Sequence, residues 1–189
     1  MSEQVTAFWP VQSERFEYLF FVTNWNDYSS TISKSLEDNL ETFAADIGLR
    51  GKVIEAYSHA KSSTFQEVMA KDGWPPEVRE RFDIENFPFM LIISTNFQEF
   101  NPHQHTWSII WFSDFLDDPN SIPVIFCNLY KKIMQDTSLF DYLVGLAQDN
   151  KSSAFSDYFE FKPGIFGASV DVKVILCDIG KAIKGKLKK

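Results

Sequence analysis

The chain has 189 residues, of which 44% are apolar and 16% aromatic, and this composition excludes an intrinsically disordered chain and suits one folded domain with additions. The formal net charge is −8, and without the five lysines of the Lys181–Lys189 end it would be −13. Because so acidic a body repels the phosphates of nucleic acids, nucleic acid is excluded as the expected partner.

The location of the protein follows from two further features. No apolar run is long enough to span a bilayer, and Met1–Pro10 lacks the basic start and the apolar stretch of a signal peptide. The only two cysteines, Cys127 and Cys177, stand in apolar contexts, which indicates a reducing compartment and small core residues. We therefore expect a cytoplasmic protein without a transmembrane segment. The Lys181–Lys189 end could touch an anionic membrane, but a solvated tail is the simpler interpretation.

The first half of the chain predicts a strand followed by a long helix. Residues 1–14 are interpreted as an N-terminal arm. Arg15–Val22 is a mostly apolar, aromatic-rich run, typical of a strand buried on both faces. From Ile32 to Ile47, apolar residues recur at spacings of three and four, which predicts an amphipathic helix. Gly48 follows where a left-handed residue commonly ends a helix.

The middle of the chain predicts three more strands and four more helical segments. The expected strands are Lys52–Tyr57, Phe89–Ser94 and Trp107–Phe112, and the expected helices lie at Ser63–Met69, Glu77–Phe82, Ile122–Gln135 and from Ser138 onward. The loop Asn96–Thr106 can join two of these strands as a hairpin. Helices between the first three strands imply crossover connections and a mixed sheet that is covered on both faces.

Residues 137–189 are interpreted as a C-terminal extension. From Asp171 onward, apolar residues recur helically, which predicts a basic amphipathic terminal helix. The residues from Val170 to Leu176 also alternate between apolar and other types, as they would in a strand. Both alternatives stay open.

Two short motifs resemble thioredoxin. Phe82, Ile84 and Phe87-Pro88, followed by an apolar strand, resemble the approach to its cis-proline, and Phe20–Trp25 resembles its first core strand, which ends in the Trp before the redox cysteines. With the order of elements, the resemblance covers 15–136, roughly two-thirds of the chain. It implies a thioredoxin-like mixed sheet of about four strands with helices on both faces, plus a C-terminal helical extension.

The chain differs from thioredoxin at the positions of the redox-active cysteines. Asn26-Asp27-Tyr28-Ser29 stands in place of Cys-X-X-Cys. Disulfide exchange needs an attacking thiolate and a second thiol that resolves the mixed disulfide, and amide and hydroxyl groups supply neither. We therefore expect a redox-inactive domain that needs no cofactor.

The resemblance also implies a binding surface. If the Phe87–Pro88 bond is cis, the backbone of Phe87 faces outward, and an extended peptide can add there as a strand. The expected binding residues are Trp25, Asn26, Asp27, Tyr28, Ser29, Phe87 and Pro88. In the alternative interpretation, Pro88 only begins a strand and Ser29 only caps a helix. The sequence favours a non-catalytic binding or adaptor module that recognises an extended segment of a partner protein.

Two other functional classes are weaker alternatives. Glutathione transferases resemble thioredoxin and place a Ser or Tyr near this point to stabilise the glutathione thiolate, a role that Ser29 or Tyr28 could take, although 137–189 is short for their helical second domain. His103 and His105 are weak candidates for a metal site, because a third ligand such as His59, Glu99 or Asp114 is not fixed nearby. No other catalytic motif is present in the sequence.

Overall fold

The computed structural model describes residues 2–11, 15–23, 31–56, 60–82, 88–112, 120–135, 138–143 and 168–170. Five of its strands form a mixed sheet: β1 Glu3–Val5, β2 Tyr18–Thr23, β3 Gly51–Ala56, β4 Phe89–Ile93 and β5 Trp107–Trp111. A short sixth strand, β6 Ala168–Val170, extends it, so that the order is β1-β3-β2-β4-β5-β6. The helices are α1 Thr31–Ile47, α2 Lys61–Met69, α3 Pro76–Arg81 and α4 Ser121–Met134.

The strand directions follow from the connections. Strands β2 and β3 are parallel and are joined by α1, because a parallel pair needs a crossover connection. Strand β4 is antiparallel both to β2 and to β5, and the β4–β5 pair forms the expected hairpin. The two short outer strands run parallel to their neighbours, β1 to β3 and β6 to β5.

Helix α1 covers one face of the sheet because one side of the helix is apolar. Its apolar stripe is buried, from Ile32 through Leu36 and Leu40 to Ile47. Gly48 follows with a φ of +57°, the left-handed conformation in which glycine avoids the Cβ penalty of other residues. This helix and α4 pack on the same face, where Phe43 of α1 stacks on Phe126 of α4 with ring centroids 4.8 Å apart.

The central strands are buried on both faces, and each face has its own hydrophobic core. Alternate residues of β2 divide between them, since Phe20 and Val22 pack toward α1 and α4 whereas Leu19 and Phe21 pack toward α2 and α3. The second core is rich in aromatic rings, and Trp74, which follows α2, contacts Trp107 of β5 with centroids 4.8 Å apart. The expected mixed α/β architecture with helices on both faces is therefore confirmed.

Two outer strands lie beyond the four predicted ones, and the sequence leaves a strand from Val170 open only as an alternative to a helix. We expected about four strands, and the structure adds β1 and β6 to the four predicted ones. Strand β1 lies within the segment 1–14 that was interpreted as an arm, and its ladder with β3 accompanies an ion pair between Glu3 and Lys52. Phe8 of the same segment is fully buried, and its ring contacts those of Phe21 and Phe97. This part of the chain is thus built into the sheet and the core.

The described residues of 137–189 form two segments, and both contact the rest of the domain. Residues 139–143 are helical, and the N–H of Leu139 donates to the hydroxyl of Tyr18 at the start of β2, over 3.1 Å. The second segment is β6, which shares only Val170 with the strand alternative of Val170–Leu176. The expected terminal helix lies outside the described residues.

Candidate functional site

The start of β4 and the end of β2 meet at one end of the sheet. Thr23, the last residue of β2, pairs with Phe89, the first residue of β4. The Thr23 hydroxyl is buried and donates to the carbonyl oxygen of Phe89 over 3.3 Å. The chain therefore leaves β2 toward residue 24 and enters β4 from Pro88 at the same end of the sheet, which we call the Thr23–Phe89 end.

Pro88 is fixed to the sheet from its other side. Its carbonyl oxygen accepts a hydrogen bond from the N–H of Phe112 over 2.8 Å, just beyond the pairing of Phe89 with Trp111. Pro88 is itself buried and directly precedes β4. A proline that opens a strand is tolerated there because it removes no donor from the interior of the ladder. This position fits the interpretation of Pro88 as a strand-opening residue.

Aromatic rings pack together at the start of β4, on the α3 face of the sheet. The rings of Phe82, Phe89 and Trp111 pack together with centroids 5.0 to 5.6 Å apart. The guanidinium carbon of Arg81 lies 4.8 Å from the centre of a Trp111 ring. The indole N–H of Trp111 is buried and has no hydrogen-bond partner among the described residues. The first residue of β4, Phe89, is therefore packed between Phe82 and Trp111 next to Pro88.

The other expected binding residues lie outside the described residues. These are Trp25, Asn26, Asp27, Tyr28, Ser29 and Phe87, together with the Phe87–Pro88 bond. What the structure does describe is the pair of elements on either side of the first five, since β2 ends at Thr23 and α1 begins at Thr31. The end of β2, the start of α1 and Pro88 therefore all lie in connections at the Thr23–Phe89 end of the sheet.

A group of charged side chains at this end of the sheet is not evident from any sequence motif. Glu55 pairs in register with Val22, one residue before Thr23, and it is half-buried. Its burial raises its pKa, and the negative charges of Glu41 and Glu37 on α1 raise it further, whereas Lys61 lowers it. Burial likewise lowers the pKa of Lys61, the first residue of α2, against the opposing effect of Glu37 and Glu55. The sequence signal was a glutamate inside a predicted strand.

The His-X-His pair lies at the opposite end of β4, in the hairpin loop. The N–H of Asn101 donates to Nδ1 of His105 over 3.0 Å, and the N–H of His105 donates back to the Asn101 carbonyl over 2.9 Å. The Asn101 side chain also accepts the N–H of His103 over 2.8 Å. Nδ1 of His105 thus accepts a hydrogen bond from the loop backbone, and the side chain of His103 is exposed.

These contacts hold the loop in a folded turn. Among the described residues, they bring no third metal ligand to His103 and His105. Within the described residues, no group of three or more His, Cys, Asp or Glu side chains could hold a metal ion. Two of the third ligands considered, His59 and Asp114, lie outside those residues. Glu99, the remaining one, is exposed in the loop.

The interpretation of Cys127 as a core residue is wrong. Cys127 is on α4 and is exposed, because the buried stripe of that helix runs through Ile122, Ile125, Phe126 and Leu129. The apolar sequence around Cys127 belongs to this stripe and not to the cysteine itself. Cys177 lies outside the described residues.

Comparison of the chain with protein-family models, with curated proteins and with solved structures finds no match in any of the three. Among the helices that the structure describes, none has both the length and the apolar character needed to cross a membrane.

Proposed function

We propose that this chain is a thioredoxin-like binding or adaptor module that recognises an extended segment of a partner protein and catalyses no disulfide exchange. The partner segment would add to the backbone of Phe87 and contact the surface of Trp25–Ser29. This function follows from the resemblance that the two sequence motifs carry, and the fold offers specific support for it.

The observation that carries the proposal is the pairing of Thr23 with Phe89. In the proposed mode, Phe87 and Trp25 must approach each other, although they are more than sixty residues apart in the chain. Each stands two residues from a member of the Thr23–Phe89 pair, on the side where both strands meet the same end of the sheet. A shift of several residues in the register between β2 and β4 would move the two motifs apart.

The order of elements adds support. A parallel β2–α1–β3 unit followed by the antiparallel β4–β5 hairpin is the arrangement that the thioredoxin resemblance requires between 15 and 136. The long helix α1 begins soon after the proposed binding residues. Pro88 is held by Phe112, which keeps the entry to β4 in a defined place.

The sequence is the basis for proposing that the domain catalyses no thiol–disulfide exchange. Residues 26–29 contain no thiol, and the chain has only two cysteines. The described one, Cys127, lies on α4. Without a thiolate and a resolving thiol beside Pro88, the domain would keep a peptide-binding geometry and lack the redox step.

The test uses a peptide selected by panning a random phage-displayed library on the immobilised full chain. Binding of the synthetic peptide is then measured by fluorescence anisotropy. We expect Phe87→Asp to weaken binding by about tenfold or more, as loss of a central contact does. Gln98→Asp is the matched control, because Gln98 is exposed in the loop beyond the far end of β4 and should not affect binding.

Two results would overturn the proposal. One is that every selected peptide binds a folded Phe87→Asp variant as tightly as it binds the wild-type chain. The other is retention of the chain on glutathione-agarose with elution by free glutathione, which would favour the transferase alternative with Ser29 or Tyr28. Circular dichroism of each variant separates a lost contact from a lost fold.

A further inference from the structure

A guanidinium group lies over an aromatic ring at the Thr23–Phe89 end of the sheet. Arg81 is the last residue of α3, and its guanidinium carbon is 4.8 Å from the centre of a Trp111 ring. Trp111 pairs in register with Phe89, which directly follows Pro88. This contact and this strand pair place the positive charge of Arg81 beside the entry to β4.

The ring contact holds the guanidinium in a defined place. The Trp111 side chain is fully buried and packs against Phe82 and Phe89, with centroids 5.5 Å and 5.0 Å away. Arg81 itself is half-buried. An aromatic ring attracts a guanidinium without using its N–H donors. Because a guanidinium has five such donors in a fixed fork, Arg81 can bind a carboxylate in addition to its contacts within the domain.

We propose that Arg81 determines specificity at the proposed binding site, by pairing with a carboxylate side chain of the partner segment that adds beside Pro88. This inference rests on the proposed function and names the chemistry of its partner. A two-point pair between guanidinium and carboxylate is directional as well as strong, so it would also fix the register of the added segment.

The sheet order favours Arg81 for this role over the other charged group at the same end. Arg81 contacts Trp111 of β5, which is the direct neighbour of β4. Glu55 is on β3, and β2 separates that strand from β4. A segment that adds beside Pro88 therefore meets the cation of Arg81 before it meets the carboxylate of Glu55.

The net charge of the chain limits the acidic residues that a partner segment can carry. The formal charge is −8, so a run of carboxylates in the partner would be repelled. Charges separated by more than about 8 Å are largely screened at physiological ionic strength, whereas a direct pair is screened much less. We therefore expect one Asp or Glu at a fixed position of the segment, among uncharged or basic residues.

The test selects peptides from one random phage-displayed library in parallel on the full-length wild type and on Arg81→Glu. Selection on the wild type should enrich a single acidic residue at a fixed position, and selection on Arg81→Glu should replace it with Lys or Arg. Arg79→Glu is the matched control, because Arg79 is an exposed arginine of the same helix, and it should select the same acidic peptides as the wild type. Circular dichroism checks that each variant is folded.

Fluorescence anisotropy with synthetic peptides, amidated at the C-terminus, then measures the pair itself. Replacing the acidic residue of the peptide by its amide should weaken binding to the wild type about tenfold, and binding to Arg81→Gln by less than about twofold. A merely structural role of Arg81 would leave the effect of this replacement equal in the two proteins.

The outcomes separate this inference from the proposed function. Peptides that bind Phe87→Asp more weakly than the wild type, but that carry no enriched acidic residue or lose the same affinity through its replacement in both proteins, would overturn the role of Arg81 and leave the proposed function standing. If no selected peptide depends on Phe87, both are overturned.

Discussion

Thr23 and Phe89 pair across β2 and β4, and the buried Thr23 hydroxyl donates to the Phe89 carbonyl oxygen over 3.3 Å. This contact fixes the register at the end of the sheet where both proposed binding motifs begin. A register shift of one residue would turn every side chain of β4 to the opposite core. The packing that holds this pair in register therefore also fixes the two strand ends that lead into the proposed binding residues.

Thr23→Val tests the structural part of this relationship. Valine keeps the shape of threonine and removes the hydroxyl, so we expect the free energy of unfolding to fall by about 1 kcal/mol. Urea denaturation followed by tryptophan fluorescence measures it. Thr42→Val, at an exposed position of α1, is the control and should change stability by less than about 0.5 kcal/mol. Equal effects of the two substitutions would show that the hydrogen bond adds nothing.

Glu55→Gln tests the charged group at the same end. Burial and the charges of Glu41 and Glu37 raise the pKa of Glu55 in the folded state. A carboxyl group with a raised folded pKa destabilises the protein above that pKa, and stability returns as pH falls through it. Glu55→Gln should therefore raise the melting temperature at pH 7 by a small amount, on the order of 2 °C, and should reduce the gain in stability that the wild type shows on mild acidification.

The control for this experiment is Glu99→Gln, because Glu99 is exposed in the loop between β4 and β5. Differential scanning calorimetry between pH 5 and pH 7 compares the three proteins. A Glu55→Gln variant that melts lower than the wild type at pH 7 would contradict the assigned effect of burial.

Gly51→Ala tests the contact between β3 and α1. A Cβ atom at Gly51 would lie 2.8 Å from Cε2 of Phe20 and 2.9 Å from Cδ1 of Ile47, both of which are buried. Overpacking of this kind costs about 1–3 kcal/mol. Gly48→Ala is the comparison, since nothing lies within 4 Å of its Cβ position and only its φ of +57° opposes the substitution, at about 1 kcal/mol. If Gly48→Ala proves the more destabilising of the two in urea, the tight packing at Gly51 is wrong.

His105→Phe distinguishes a structural histidine from a metal ligand. The substitution keeps a ring and removes the acceptor of the Asn101 N–H, so it should cost about 1 kcal/mol. The exposed His103 should tolerate alanine with a change below about 0.5 kcal/mol. Zinc should leave the melting temperature of the wild type unchanged, and a zinc-dependent rise that both substitutions abolish would restore the metal interpretation.

The sequence predicted those parts of the fold whose pattern is long and regular. The apolar period of α1 and the apolar runs of β2, β4 and β5 reflect their burial directly. Every apolar residue of these three strands packs into one of the two cores. Strand β1 escaped prediction because its three residues, Glu3–Val5, are polar or half-exposed and are held by the ladder with β3. Cys127 was misassigned because apolar neighbours on a helix do not place a residue on the buried stripe.

The candidate site was less accessible to prediction from the sequence. The proximity of the β2 end and the β4 start depends on a register between strands that are far apart in the chain, and no local pattern encodes it. The grouping of Glu55 with Glu37, Glu41 and Lys61 likewise brings together three elements. Short motifs such as Phe87-Pro88 point to such a site only through resemblance to a known family.

The most direct test of the central claim is a set of nuclear Overhauser contacts around Pro88 in the isotope-labelled full chain. The proposed binding surface predicts a contact between the α protons of Phe87 and Pro88, which reports a cis bond, together with contacts from the Trp25 indole to Phe87. A contact from the Phe87 α proton to the δ protons of Pro88, with none between Trp25 and Phe87, would contradict the proposed function.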